Sequence, residues 1–168
     1  MAGVAPRFDV LGCGLIFNDM VFSGLPDVGP QPGVECRTAA YFAVPGGIAN
    51  ASIAAARLGL RVAMVSDVGD DVVGEGSLGS LRSEGIDTSE CLVHEGWQTP
   101  LTGILSYAGA RAMVTAETPQ PGHCVLRGYE APQARSVITH LQPFPMTWSK
   151  AAHDAGSPIF GDIGWDES

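Results

Sequence analysis

Apolar residues along this chain come in short blocks separated by glycine-rich breaks. The first block, Phe8-Asp-Val-Leu-Gly-Cys-Gly-Leu-Ile-Phe17, reads as a buried strand ending in glycine-rich turn chemistry. Residues 23–33, rich in Gly and Pro, read as a loop, and Val34–Val44 alternates imperfectly, as one or two exposed strands would. Gly46-Gly47 then introduces Ile48–Leu58, an Ala-rich helix with Gly59 placed to end it. Arg61–Ser66 is a second short apolar strand. Asp70 or Asp71 can cap a helix running to about Glu84, where Gly85 stops it. Gly74, Gly76 and Gly79 inside that stretch each cost about 1 kcal/mol relative to Ala, which weakens its early turns.

Further along, Thr102–Tyr107 and Arg111–Thr115 flank Ala108-Gly109-Ala110 and predict a β-hairpin. Ser136–Leu141 predicts a strand, Pro145–Ala155 a helix and Ile159–Asp162 a last strand. Strands that alternate with helices imply a parallel sheet with crossover helices. The hairpin and Val34–Val44 fall outside that alternation and predict a small separate sheet lying over the main one. After Asp162 only a few residues follow, without a helix to cover the strand. Parallel sheets avoid a bare face, so the chain is expected to be an interrupted domain.

Composition narrows the classes. With 168 residues and 45% hydrophobic content the chain can bury a real core, and 16% charged residues argue against disorder. The formal net charge is −9 and lysine occurs once, at Lys150, so no basic patch for nucleic acid can be built around it. The four cysteines are scattered, without metal-ligand spacing, and read as free thiols of a reducing compartment. The start, Met1–Arg7, has no apolar leader core, and no stretch approaches the roughly 20 residues of a membrane span. The expectation is a soluble cytoplasmic protein that binds neither nucleic acid nor membrane.

Three segments carry candidate chemistry. In Pro45-Gly46-Gly47-Ile48-Ala49-Asn50, adjacent glycines let a ligand approach the backbone just before unpaired helical N–H groups. Asn50, in the first turn, can donate to and accept from a sugar hydroxyl, or simply be solvated. In Gly14-Leu-Ile-Phe-Asn18-Asp19, a carboxylate past the carboxyl end of a strand lies where α/β sheets bind ligands. It can accept hydrogen bonds from neighbouring hydroxyls, or cap a turn. The third is Val68-Gly69-Asp70-Asp71-Val72-Val73-Gly74, followed by Leu81-Arg82-Ser83-Glu84-Gly85-Ile86-Asp87-Thr88.

In order, an early Asp, a Gly-Gly pair followed by Asn, Ala56-Arg57-Leu58-Gly59, Val-Gly-Asp-Asp and Gly-Ile-Asp-Thr resemble the PfkB (ribokinase-like) carbohydrate kinases. The match runs over roughly residues 8–115. The resemblance implies an α/β fold with a Rossmann-type core of mainly parallel strands and a small β-sheet lid. Residues 1–168 would be the amino-terminal, sugar-binding part of one kinase domain, with lid segments near 34–44 and 98–115 and the carboxyl-terminal half missing. The sugar would lie between core and lid, held by Asp19, Gly46, Gly47 and Asn50, with Gln142 where some relatives place an acidic sugar contact. Arg111 on the hairpin could reach an anionic group of the substrate. The lid would exclude water around the reaction and could pair two subunits.

The implied activity is ATP-dependent phosphorylation of a sugar or sugar-like hydroxyl, with Mg2+. The family's Gly-Ala-Gly-Asp motif does not occur in these residues, and neither does a P-loop. No catalytic or metal-binding residue is therefore assigned here, and the chain is expected to be inactive alone. Phe17, two positions before Asp19, replaces a residue that is often polar and disfavours ribose, keeping a nucleoside kinase open. At the end, Asp162-Ile-Gly164-Trp-Asp166 lacks the Asn and Arg of many relatives, which puts phosphate handling there in question. The competing expectation from another class is a non-catalytic carbohydrate-binding or regulatory remnant. Gly74-Glu-Gly76-Ser-Leu-Gly79 spells a dinucleotide-binding pattern but begins too far past its strand.

Overall fold

The computed structural model describes residues 6–26, 29–121, 134–141 and 146–163. Its main sheet is parallel throughout. β1 (Phe8–Cys13) lies between β4 (Val62–Val65) and β9 (Ala134–His140), and β9 pairs on its other side with β10 (Ile159–Asp162). Apolar side chains alternate across this sheet. Leu11, Ala63, Val65 and Val137 face Trp148 and Ala152 of α3 (Thr147–Asp154). Val10 and Met64 face Ile48 and Ala49 of α1 (Ile48–Arg57) and Leu78 and Leu81 of α2 (Val72–Ser83). Both faces are thus covered, and each fully buried aliphatic side chain contributes about 1.5–3 kcal/mol.

The remaining strands leave this layer. β2 (Asn18–Leu25) pairs antiparallel with β3 (Ala40–Pro45) and parallel with β7 (Leu101–Tyr107), which forms a hairpin with β8 (Ala110–Ala116). This second sheet, ordered β3-β2-β7-β8, is the lid anticipated from the breaks in the alternation. A two-stranded parallel ribbon, β5 (Asp67–Gly69) with β6 (Leu92–His94), links the layers and had no counterpart in the sequence reading.

Two expectations need correction. The first strand ends at Cys13, where the glycine-rich turn of the block Phe8–Phe17 begins, and the chain then runs into β2. Asn18 and Asp19 therefore open a lid strand instead of lying in a turn, and part of the proposed 23–33 loop is strand. Pairing supplies the reason: Asn18–Phe22 has partners on both sides, β3 and β7, which outweighs its glycine-rich surroundings. In 34–44, strand structure is confined to Ala40 onward, and the lid gains β2 beyond the two segments named from the sequence.

The helix starts are chemically defined. α1 begins at Gly47, and Gly59 follows its end as read. Asp71 caps α2: its Oδ1 accepts from the Gly74 N–H at 2.8 Å and from the Thr99 hydroxyl at 2.7 Å, and its Oδ2 from the Thr99 N–H at 3.0 Å. Burial pushes the Asp71 carboxyl up, but these bonds outweigh it and hold it below its ordinary value. Thr99 also accepts from the Gly69 N–H at 2.8 Å, so a single hydroxyl ties the α2 start to the approach of β7. Gly74, Gly76 and Gly79 all lie inside α2, which is a helix and no phosphate loop.

Candidate functional site

A cavity of about 520 Å³ opens between the carboxyl ends of the parallel strands and the lid. Leu15 and Phe17 reach it from the segment after β1, His140 and Leu141 from the end of β9, and Asp162 and Ile163 from the end of β10. The lid closes the other side with Asp19, Thr102, Ile104, Arg111, Met113 and Thr115. On β7 and β8 these are alternate residues, so the period of two that defines a strand aims one face of the hairpin inward. The position is the one where open α/β sheets bind ligands, beyond the carboxyl ends of their strands.

Asp19 sits half-buried at the start of β2, opposite Val44 and Thr102. Burial pushes its carboxyl above the ordinary value, and the nearby Arg111 guanidinium partly offsets this. The carboxylate lies directly against the Gly46 backbone, where an added Cβ would come within 2.1 Å of Oδ2. Gly46 is therefore needed for Asp19 to be where it is. Gly47 has φ +62°, and a Cβ there would meet the Leu15 carbonyl at 2.8 Å and the Phe17 ring at 3.3 Å. Gly47 thus lines the cavity beside Asp19, and Gly46 packs against the Asp19 carboxylate.

The other candidates divide. Arg111 lines the same cavity and makes no ion pair among the described residues. Asn50 stands in the first turn of α1 but is exposed, and it opens on a neighbouring concavity of about 300 Å³ with Ser80 and Ser83. The structure does not bring it to Asp19. Gln142 lies outside the described residues. Phe17 is on the cavity wall, as its place two residues before Asp19 implied.

Sequence reading gave no role in the substrate cavity to four polar residues that line it, His140, Asp162, Thr102 and Thr115. His140 and Asp162 are register partners at the ends of β9 and β10, and their side chains approach to 3.5 Å on the cavity rim. Strand-end position was the available signal, since histidine spacing along the chain carried none. Thr102 and Thr115 are cross-strand partners whose hydroxyls hydrogen bond at 3.1 Å facing the cavity. Among the described residues no group of three or more His, Cys, Asp or Glu side chains is arranged to hold a metal ion.

Comparison with known proteins agrees with this fold. The ribokinase of Arabidopsis thaliana, solved with ribose and ATP, superposes with a TM-score of 0.70 at 16% identity, over 98% of this chain and 55% of that one. A fructokinase of Halothermothrix orenii gives 0.68 at 20% identity, over 94% and 61%. A nucleoside kinase of Methanocaldococcus jannaschii, a ribokinase-family member, gives 0.65 at 20% identity, over 96% and 55%. At these identities the likeness shows the fold. In sequence, the ribokinase of Bacillus subtilis is 43% identical over 63 residues, which is 37% of this chain and 22% of that protein. The chain thus spans little more than half the length of these solved kinases. The pfkB family carbohydrate kinase profile matches residues 27–120, more than half of the sequence. On that match, with the fold behind it, the chain belongs to the pfkB family of carbohydrate kinases.

Proposed function

We propose that this chain supplies the substrate side of an ATP-dependent kinase that phosphorylates a hydroxyl of a sugar or sugar-like molecule. The observation that carries the reading is Asp19, a partly desolvated carboxylate seated against Gly46 in a cavity at the carboxyl ends of the sheet strands. A carboxylate there accepts hydrogen bonds from two neighbouring hydroxyls, which a sugar offers and water-filled surroundings would not discriminate. Gly46 and Gly47 let the substrate reach the backbone. The lid strands exclude water, and Arg111 faces the substrate from above.

Asn50 and Gln142 belong to the proposal through the family motif alone. So do ATP and Mg2+, to which no residue of this chain is assigned, and pairing of two subunits through the lid. The base that removes the hydroxyl proton is proposed to lie outside these residues, so the chain alone binds without transferring phosphate. The acidic balance of the sequence supports a partner that is a small molecule and not a nucleic acid, and the scattered cysteines support a cytoplasmic location. A second reading, phosphorylation of a nucleoside, is favoured by the apolar wall of Phe17, Ile104 and Met113, against which a flat base could pack.

The test is thermal stabilisation of the protein by a panel of sugars and nucleosides, repeated with Asp19→Ala. The expected result is a shift produced by at least one of them and abolished by the substitution. An Asp19→Ala protein that keeps the full shift removes Asp19 from the site.

A further inference from the structure

The described histidines stand in different surroundings. His153 is exposed on α3. His94 is withdrawn from water, its side chain 15% exposed, and its Nε2 lies 2.6 Å from Oδ1 of the fully buried Asp67. His140 is withdrawn to the same degree, at 16%. Its ring nevertheless has only one partner among the described residues, the Asp162 carboxylate at 3.5 Å from Nε2. That separation exceeds the roughly 2.7–3.2 Å of a protein N–H···O bond. Polar groups taken out of water keep hydrogen-bond partners, so a histidine held this loosely calls for an explanation.

Its place in the fold supplies one. His140 is the last residue of β9 and lines the cavity beyond the strand ends. The ring lies over Gly47, where an added Cβ would meet its Cε1 at 3.2 Å and the Phe17 ring at 3.3 Å. Asp19 rests on the preceding residue, Gly46. Two polar side chains thus stand beside consecutive glycines and face one cavity, one from the lid and one from the core sheet. The other polar pair at this wall, Thr102 and Thr115, is answered by its own 3.1 Å bond, whereas the His140 ring is not.

Resting on the reading of the cavity as a substrate site, we propose that His140 is a second hydrogen-bonding anchor, serving a substrate hydroxyl that Asp19 does not reach. The carboxylate of Asp19 can only accept, whereas a neutral imidazole carries one donor and one acceptor and suits a hydroxyl, which is both. Asp162, its register partner at the end of β10, faces Nε2 and restrains the ring without saturating it. In the free protein water serves the ring. A substrate that displaces this water must replace the bond or lose affinity. The pair therefore reads hydroxyls at two separate places on a sugar, and a sugar lacking the second keeps Asp19 and loses His140.

The test is calorimetric titration with D-ribose, D-fructose, D-glucose and adenosine, then with each monodeoxy analogue of whichever binds. His140→Phe keeps a ring over Gly47 and removes both nitrogens. It should weaken the parent about three- to tenfold and leave unchanged the one analogue that lacks the hydroxyl facing His140. Asp19→Ala should show the same indifference to a different analogue. His140→Gln, which retains a donor and an acceptor, should recover part of the loss. In the wild type, whatever the variants' stability, the His140 ring nitrogen signals in NMR spectra should shift as the bound sugar saturates. Unmoved ring signals, or a His140→Phe protein that binds the parent as tightly or loses every analogue equally, would overturn this proposal. Asp19→Ala would still decide the kinase reading separately. Binding of none of the four compounds overturns both.

Discussion

The two large sheets of this molecule are built on different rules. In the core sheet, all four residues of β4 and five of the six in β1 are buried, because helices cover both faces. In the lid, five of the six residues of β3 and six of the seven in β8 are exposed. Tyr41 is 70% exposed and Val114 72%, on the face of the sheet away from Asp19. Core strands owe their stability to what surrounds them in the domain. The lid strands are held by pairing and by a few anchors, such as the buried Asn18 amide donating to the Ser77 hydroxyl at 3.1 Å. A region so lightly buried is poor at stabilising a fold and well suited to covering a ligand, since its opening costs little.

The contrast can be broken at its strongest point first. Leu11, fully buried in the middle of β1, should cost about 2–5 kcal/mol as Leu11→Ala, read as a lowered urea midpoint. A loss as small as that of a surface position would mean that the parallel sheet is not the stabilising layer. Next in size is Gly46→Ala, where core and lid meet. The new methyl group lands on the Asp19 carboxylate and should cost about 1–3 kcal/mol by crowding. It should also remove sugar-induced stabilisation, and a variant that still binds would show that Asp19 need not rest on Gly46.

Asp19→Asn should act in the opposite direction on stability. Burial raises the Asp19 carboxyl above its ordinary value of 3.8, so the folded protein holds that proton more tightly than the unfolded chain. Stability contributed by this group is complete below the ordinary value and falls as pH rises through the raised one. At neutral pH the ionised carboxylate is a burden, and Asp19→Asn should melt a few degrees higher while losing the ligand. That advantage should shrink on acidification below the carboxylate range. Melting curves against pH decide it, and an advantage independent of pH would sink the electrostatic explanation. The smallest effect is expected at Val114, where Val114→Ser should change stability by no more than about 0.5 kcal/mol in the same urea titration. A larger loss would show that the outer face of the lid is covered in solution.

Much of the core was legible in the sequence because its signals are local. The two helix boundaries at Gly47 and Asp71, the hairpin around Gly109 and the alternation of strand and helix all follow from turn chemistry and periodicity. β2 was not legible, because Asn18–Leu25 has no clean alternation of its own and becomes a strand through partners distant in sequence, Ala40–Pro45 and Leu101–Tyr107. The β5–β6 ribbon was hidden for the same reason: three residues form a strand only beside their partner. In the site, Asp19, Gly46 and Gly47 were named together by their motif, and the structure gives the reason in the contact between the carboxylate and the glycine backbone. Asn50 was named by the same motif and faces elsewhere.

By itself, then, the sequence determined the fold class and the family and drew attention to Asp19 and Gly47, which line the cavity, since these depend on residue type and near spacing. Only the tertiary structure decided that Arg111 lines the cavity without an ion pair among the described residues, that His140 meets Asp162, and that Thr102 and Thr115 face inward as a pair. Those facts rest on register between strands far apart in the chain. A one-residue slip in that register would turn every one of those side chains to the other face.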